Sequence, residues 1–332
     1  MKRLLLVLSL LSLTSLGFSK SVVQTIDSTA DPFLYYSMVI DHQGYPQVVY
    51  EGSISKSLKY AKWNGSSWNI QTIEANVGIG QFATTLVGAS IAVDSLNRPY
   101  IAYPFGSPSS ALKMANWNGS SWVYQTVDSS FVNVGWNPAI AMDSLNHIHI
   151  IHYDVTDKSL RYAYWNGSSW ALRVVDTGFY TAGNNSITTD SLNRPSIAYI
   201  YPIDSGTNYL KYGIWDGSSW NLQTLDTVAS YPSIKLNAAN EPWIAYNSTG
   251  GLRIKRWNGS GFQWAIVDPT GGLGSLSFDL FDNPVLSYGA SGKIKYARFT
   301  GTRYTDSWST QTVTAEGAYN GVSAGLDSLN NP

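Results

Sequence analysis

Apolar and polar residues alternate in short runs along almost the whole chain. ASIAVD (89–94), PYIAY (99–103), ALKMANW (111–117) and WVYQTVD (122–128) follow one another, each five to seven residues long. β-Branched and aromatic residues are frequent in them, and Gly, Pro, Asn or Ser bound them. A period of two between such boundaries predicts β-strands with one face buried. No helical period of useful length follows the first twenty residues, so the pattern predicts an all-β protein.

The strands recur as a unit. The turn DSLNRP at 94–99 has relatives beginning at Asp41, Asp143, Asp190, Asn237, Asp279 and Asp327, at spacings of 53, 49, 47, 47, 42 and 48 residues. A second turn, WNGSSW, stands at 63–68, 117–122 and 165–170, with relatives at 215–220, 257–262 and 299–304. Two turns and two longer connections per unit give four antiparallel strands, A to D. Four strands every 40–50 residues or so predict a β-propeller with strand A innermost. SVVQTID (21–27) matches strand D, and GVSAGLD (321–327) matches strand A. The expectation is six complete four-stranded blades and a seventh, incomplete blade, the chain being cut short after Pro332. A six-bladed ring with spare ends is the alternative.

Composition narrows the function. Of 332 residues, 44% are hydrophobic and 13% charged, with a net charge of −1. There is no electrostatic case for nucleic acid as a partner. The 13 Trp and 22 Tyr suit both β-structure and sugar-stacking surfaces. Lys2 and Arg3 precede a short apolar run from Leu4 to Leu13, and small residues lead to Ser19. This predicts a signal peptide over 1–19, an exported propeller over 20–332, and no membrane insertion after cleavage. Cysteine is absent, which excludes disulfides and Cys-ligated metal. No cofactor is expected.

Propeller geometry puts the A–B and C–D turns on one face and the B–C and D–A connections on the other. DSLNRP and WNGSSW therefore share a face, and their residues have local reasons. Asp94 and Asn97 suit Asx-type bonds, Pro99 pre-sets φ, and Asn64-Gly65 supplies positive φ. The opposite face carries irregular loops with Phe131, Trp136, Phe179, Tyr180 and Tyr319. Ligand contacts concentrate on such loops, which makes Trp136 a candidate binding residue. A Tyr stands nine residues after the turn residue in five units: Tyr50, Tyr103, Tyr199, Tyr246 and Tyr288. His152 takes that place in the third, and His152 with Asp154 is the most acid–base-capable pair. These residues suit rim contacts in clefts between blades, and equally suit interblade packing.

A cation opens every strand C: Lys59, Lys113, Arg161, Lys211, Arg253 and Lys295. An acid follows 15 residues later in five units: Glu74, Asp128, Asp176, Asp226 and Asp268. A count across the hairpin puts both on one sheet face and predicts an ion pair within each blade. The longer sixth hairpin leaves Lys295 without that partner. His147 and His149 share a strand face, fewer than the three ligands of a catalytic zinc, and no metal is expected.

The WNGSSW turn resembles the Asp-box hairpin of sialidases and related secreted propellers, roughly Ser-x-Asp-x-Gly-x-Thr-Trp. Gly65, Ser67 and Trp68 fit its Gly, Thr and Trp places, while Trp63 stands at the Asp place and Ala61 at the Ser. The whole repeat is similar to exported bacterial repeat propellers and, more loosely, to fucose-specific lectin propellers. The sialidase resemblance implies an arginine triad, a Tyr–Glu pair and an acid–base Asp. Here Arg98, Arg161, Arg194 and Arg253 belong to the repeat, and no Arg-Ile-Pro motif occurs. Glycoside hydrolysis needs two facing carboxylates, and nothing in the sequence identifies such a pair. The expected function is therefore non-enzymatic recognition of glycan or extracellular protein, through the loop face or the interblade clefts. The alternative is a sialidase-like glycoside hydrolase or lyase with its site in the same loops.

Overall fold

Each repeat folds, in chain order, into one antiparallel sheet of four strands, and six such sheets form the propeller. The computed structural model describes residues 5–9, 21–27, 33–52, 55–75, 77, 88–106, 110–130, 132–180, 183–302, 306–313, 323 and 325. Blade 1 comprises Phe33–Ile40, Pro46–Gly52, Leu58–Trp63 and Trp68–Glu74. Blade 2 comprises Ser90–Val93, Pro99–Phe105, Ala111–Trp117 and Trp122–Asp128. Blade 3 comprises Val134–Met142, Ile148–Asp154, Ser159–Trp165 and Trp170–Thr177. Blade 4 comprises Asn185–Thr189, Pro195–Pro202, Asn208–Trp215 and Trp220–Asp226. Blade 5 comprises Ser230–Leu236, Pro242–Ser248, Gly251–Trp257 and Phe262–Asp268. Blade 6 comprises Gly271–Phe278, Pro284–Ala290, Lys293–Phe299 and Trp308–Thr312. No helix occurs among the described residues.

The predicted turn chemistry is present. Asp94 Oδ1 accepts the N–H groups of Leu96 and Arg98 at 2.9 and 2.8 Å, and the other five described turns repeat this. Asn97, Asn146, Asn193, Asn240 and Asp282 sit at φ of 60–63°, a conformation that Asn and Asp tolerate best after Gly. Each of these five also accepts a backbone N–H from the preceding blade's turn. The donors are His42, Ser95, Ser144, Ser191 and Ala238, at 2.9–3.1 Å. The DSLN turns thus form a chain of links around the ring.

WNGSSW is a joint of another kind. Asn64 Oδ1 accepts the N–H groups of Ser66 and Ser67 at 2.9 Å, and Gly65 takes φ of 96°. The two Trp rings pack across the hairpin at 5.5 Å. The second Trp of the turn then reaches the preceding blade. Trp122 Nε1 donates to Gln71 Oε1 at 2.8 Å, and Trp170 Nε1 to Gln125 Oε1 at 3.0 Å. Tyr60 meets Trp122 edge-on at 5.3 Å, and Tyr162 meets Trp220 likewise at 5.2 Å. The core therefore lies between the sheets, with strand B buried along its whole length in blades 1 and 3.

Both chain ends meet blade 1. Asp27, just after the strand Ser21–Thr25, binds Tyr50 and Lys59 of blade 1. Ser323 Oγ donates to the Met38 carbonyl of its strand A at 3.5 Å. Ser21–Thr25 also pairs with Leu5–Ser9. The seventh turn, from Asp327, lies outside the described residues.

Candidate binding site

The loop-bearing end of every blade carries one three-part contact with its predecessor. Tyr50 Oη and Lys59 Nζ both donate to Asp27 Oδ2, at 2.8 and 3.0 Å. Tyr103 and Lys113 converge on Glu74, with the ammonium at 2.7 Å. Tyr199 and Lys211 donate to Asp176 at 2.7 and 2.6 Å. Tyr246 donates to Asp226 at 2.7 Å with Arg253 at 3.5 Å, and Tyr288 and Lys295 donate to Asp268 at 3.0 and 2.8 Å. Burial raises the pKa of Tyr103, Tyr199, Tyr246 and Tyr288, so all four stay protonated donors.

These ion pairs run between blades, not within one as the residue count predicts. The reason is a bulge in strand D of blades 1 to 5. In blade 1, Lys59 pairs with Thr72 but Leu58 pairs with Glu74, so Ile73 is an extra residue. The same shift puts Asp128, Asp176, Asp226 and Asp268 opposite Leu112, Leu160, Leu210 and Leu252. One inserted residue inverts the strand's parity, which turns the acid onto the other sheet face, toward the next blade's cation. Lys295 accordingly has a partner, the Asp268 of blade 5.

The third blade varies the theme. His152 is fully buried, with Nε2 3.5 Å from Asp128 Oδ2, and Arg161 bridges Asp128 at 3.0 Å and Asp154 at 3.4 Å. Burial, reinforced by the Arg161 charge and opposed by Asp128, pushes the His152 pKa down to about 4. The imidazole is neutral at pH 7 and sealed from solvent. His147 and His149 both face Asp143 Oδ2, at 3.0 and 3.3 Å.

The candidate binding residues thus fall into two groups. Tyr50, Tyr103, Tyr199, Tyr246, Tyr288 and His152 meet the acids of neighbouring blades, and Asp154 holds Arg161. All seven are buried. Trp136 is buried apart from them, with its indole donating to Ser110 Oγ at 3.1 Å. Phe179 is buried against Tyr201, whereas Tyr180 is 59% exposed. Phe131 and Tyr319 lie outside the described residues.

One open space, shared by all six blades, is on the ring axis. A cavity of about 380 Å³ is lined by strand A residues of all six blades and by Ser323. Serine stands four residues before the turn residue in six of the seven units: Ser37, Ser90, Ser186, Ser233, Ser275 and Ser323. Four of them accept the N–H of the next blade's strand A, from Ile91, Ile140, Ile234 and Leu276, at 3.0–3.4 Å. This recurrence, absent from the sequence expectations above, is the signal that could have found the axial lining. Carboxamides, tyrosines and Lys235 add polar groups to the wall, Asn137, Asn184, Asn185, Tyr36 and Tyr231 among them, beside apolar residues such as Ile140 and Leu273. Asn137 and Tyr231 occupy matching places in blades 3 and 5 and both have positive φ, 46° and 51°. Asn tolerates that region, but a bulky residue such as Tyr231 is strained there, and such strain concentrates at functional sites. Asn137 Nδ2 donates to the Gly183 carbonyl and Asn185 Nδ2 to the Asn137 carbonyl, at 2.7 and 2.8 Å. No carboxylate lines the cavity among the described residues.

No protein-family model matches the chain, and no curated protein matches it by sequence. Solved structures do resemble it. AofleA from Arthrobotrys oligospora is 14% identical with a TM-score of 0.58, over 88% of this chain and 92% of its own. Virginiamycin B lyase from Staphylococcus aureus is 12% identical with a TM-score of 0.58, over 89% of each chain. The SapL1 lectin in complex with alpha-methyl fucoside is 12% identical with a TM-score of 0.53, over 84% and 96%. At these identities the likeness defines the class of fold, a β-propeller, that lectins and lyases share.

Proposed function

We propose that the protein is an exported, non-enzymatic propeller that recognises glycan through the axial cavity of its loop face. The observation that carries this is how the acids are used. Each of the six recurring carboxylates, Asp27, Glu74, Asp128, Asp176, Asp226 and Asp268, is engaged by a Tyr or His and a cation of the next blade. The cavity itself offers hydroxyls, carboxamides, two tyrosines and the ammonium of Lys235. Hydrolysis of a glycoside needs two carboxyl groups facing the scissile bond. Hydroxyl and amide donors and acceptors beside aromatic rings instead suit the edges and faces of a sugar. The lectin among the structural neighbours supports the same reading.

The test is a glycan array with the full-length gene product, run beside chromogenic glycosides and polysaccharide substrates. Retained binding without turnover is expected. Asn184→Trp, which places an indole in the cavity, is expected to abolish capture while leaving the melting temperature within about 2 °C. Turnover without retained binding would refute the reading and favour the hydrolase or lyase alternative. N-terminal sequencing of the exported protein checks the leader, with Lys20 expected as the first residue.

A further inference from the structure

One residue breaks the pattern of the axial wall. Strand A positions paired with Gln47, Tyr100, His149, Ser196 and Val285 of strand B are Val39, Ala92, Ala141, Thr188 and Ser277. All are short. The same position in blade 5, paired with Trp243, is Lys235. It is the only charged side chain lining the cavity among the described residues. No described carboxylate forms an ion pair with it, whereas the six cations that open strand C are all paired.

We infer that the axial cavity takes an anionic saccharide, bearing carboxylate or sulfate, whose charged group is bound by Lys235. The inference rests on the glycan reading above and narrows it. Lys235 remains accessible to water within the cavity, yet the surrounding walls lower its pKa through desolvation. An ammonium held this way, without a counterion among the described residues, gains most from an anion arriving in the cavity. Ser233 stands two residues earlier on the same side of the strand, and Ser275, Asn184 and Asn185 bring hydroxyl and amide groups for the sugar's own oxygens. Because the other blades hold Val, Ala, Thr or Ser here, the fold does not require a long cation at this position.

The test is isothermal titration of the full-length protein with three probes of similar length: an oligogalacturonate, a sulfated galactan oligosaccharide and a neutral galactan oligosaccharide. At least one anionic probe is expected to bind more tightly than the neutral one, and to weaken at about 0.5 M NaCl. Lys235→Met is expected to raise its Kd by about tenfold to a hundredfold, the range for one charge-assisted hydrogen bond. Lys235→Arg is expected to retain most of the affinity, and neither variant to change the melting temperature appreciably. The preferred anionic probe identifies the charged group. Equal affinity for anionic and neutral probes, or an unchanged Kd in Lys235→Met, overturns the inference while leaving glycan recognition standing. Failure of the wild type to bind any glycan overturns both.

Discussion

The indole–carboxamide joint carries its own experiment at Trp220. Trp122 and Trp170 each find a glutamine three residues into the preceding strand D, Gln71 and Gln125. The matching residue opposite Trp220 is Arg173, and opposite Trp308 it is Ala265. Those two indoles are buried at Nε1 and make no hydrogen bond. A buried donor left unpaired costs about 1–3 kcal/mol. Arg173 contributes differently, stacking its guanidinium over Trp215 at 4.7 Å, which at an exposed site is worth about 0.5–1 kcal/mol. Arg173→Gln exchanges the second term for the first, a net stabilisation of about 0.5–2 kcal/mol. In a domain of this size that is a rise of about 1–4 °C in the unfolding midpoint. The reciprocal change, Gln125→Arg, strands the Trp170 indole and should cost about 1–3 kcal/mol. Urea unfolding followed by tryptophan fluorescence and far-ultraviolet circular dichroism measures both. If Arg173→Gln is neutral or destabilising and Gln125→Arg costs under about 0.5 kcal/mol, the joint is geometry without energy.

Three further outcomes follow from the interblade contacts. Tyr199→Phe keeps the buried ring but removes the hydroxyl from Asp176, and should cost about 1.5–3 kcal/mol, nearer the lower figure because Lys211 stays bonded; an unchanged urea midpoint would contradict this. Burial would raise the Asp268 pKa, but bonds from Lys295, Thr270 and Tyr288 outweigh it and hold it at about 2, below the usual 3.8. Its stabilisation is therefore complete above the unfolded value and lost as pH falls from there through about 2, and Lys295→Met should move the acid-unfolding midpoint upward in a circular-dichroism titration. Asn97→Gly keeps the left-handed turn and loses only the two bonds between its Oδ1 and the backbone and ring nitrogens of His42, whereas Asn97→Ala adds about 1–2 kcal/mol of backbone strain, so equal melting losses for the two would refute the turn's role.

Strands, turns and blade order were legible because each is a local pattern repeated several times. Alternation over five to seven residues, Asp at the first turn and Asn-Gly at the second, each has a local cause that needs no tertiary information. The interblade contacts were legible only as recurrences. The Tyr, the cation and the acid all stood out, but parity counting put the acid on the wrong face. The bulged residues Ile73, Val127 and Val267 are β-branched apolar residues of the same kind as Ile70, Val123 and Ile266 elsewhere in strand D, so nothing in their identity announces an insertion. The axial cavity was the least legible. Each blade contributes only a few residues to it, separated in sequence by a whole repeat, so no linear motif exists. Only the recurrent serine hinted at a shared wall.

The repeat and the candidate function therefore separate by regularity. Residues that recur are engaged by neighbouring blades: Asn97 and its counterparts link turns, Gln71 holds Trp122, and Glu74 holds Tyr103 and Lys113. A residue fixed by a joint repeated around the ring cannot change to suit a ligand without weakening that joint. WNGSSW, the most repeated motif, is accordingly scaffold: its polar centre closes the hairpin and its second Trp docks on the preceding blade. Departures from the repeat carry more information. His152 replaces a tyrosine but remains inside a buried cluster with Asp128 and Arg161, so this exchange alters a joint. Lys235 replaces a short residue and faces open space, which no joint requires. Both depart from the repeat, but only Lys235 has room beside it for another molecule.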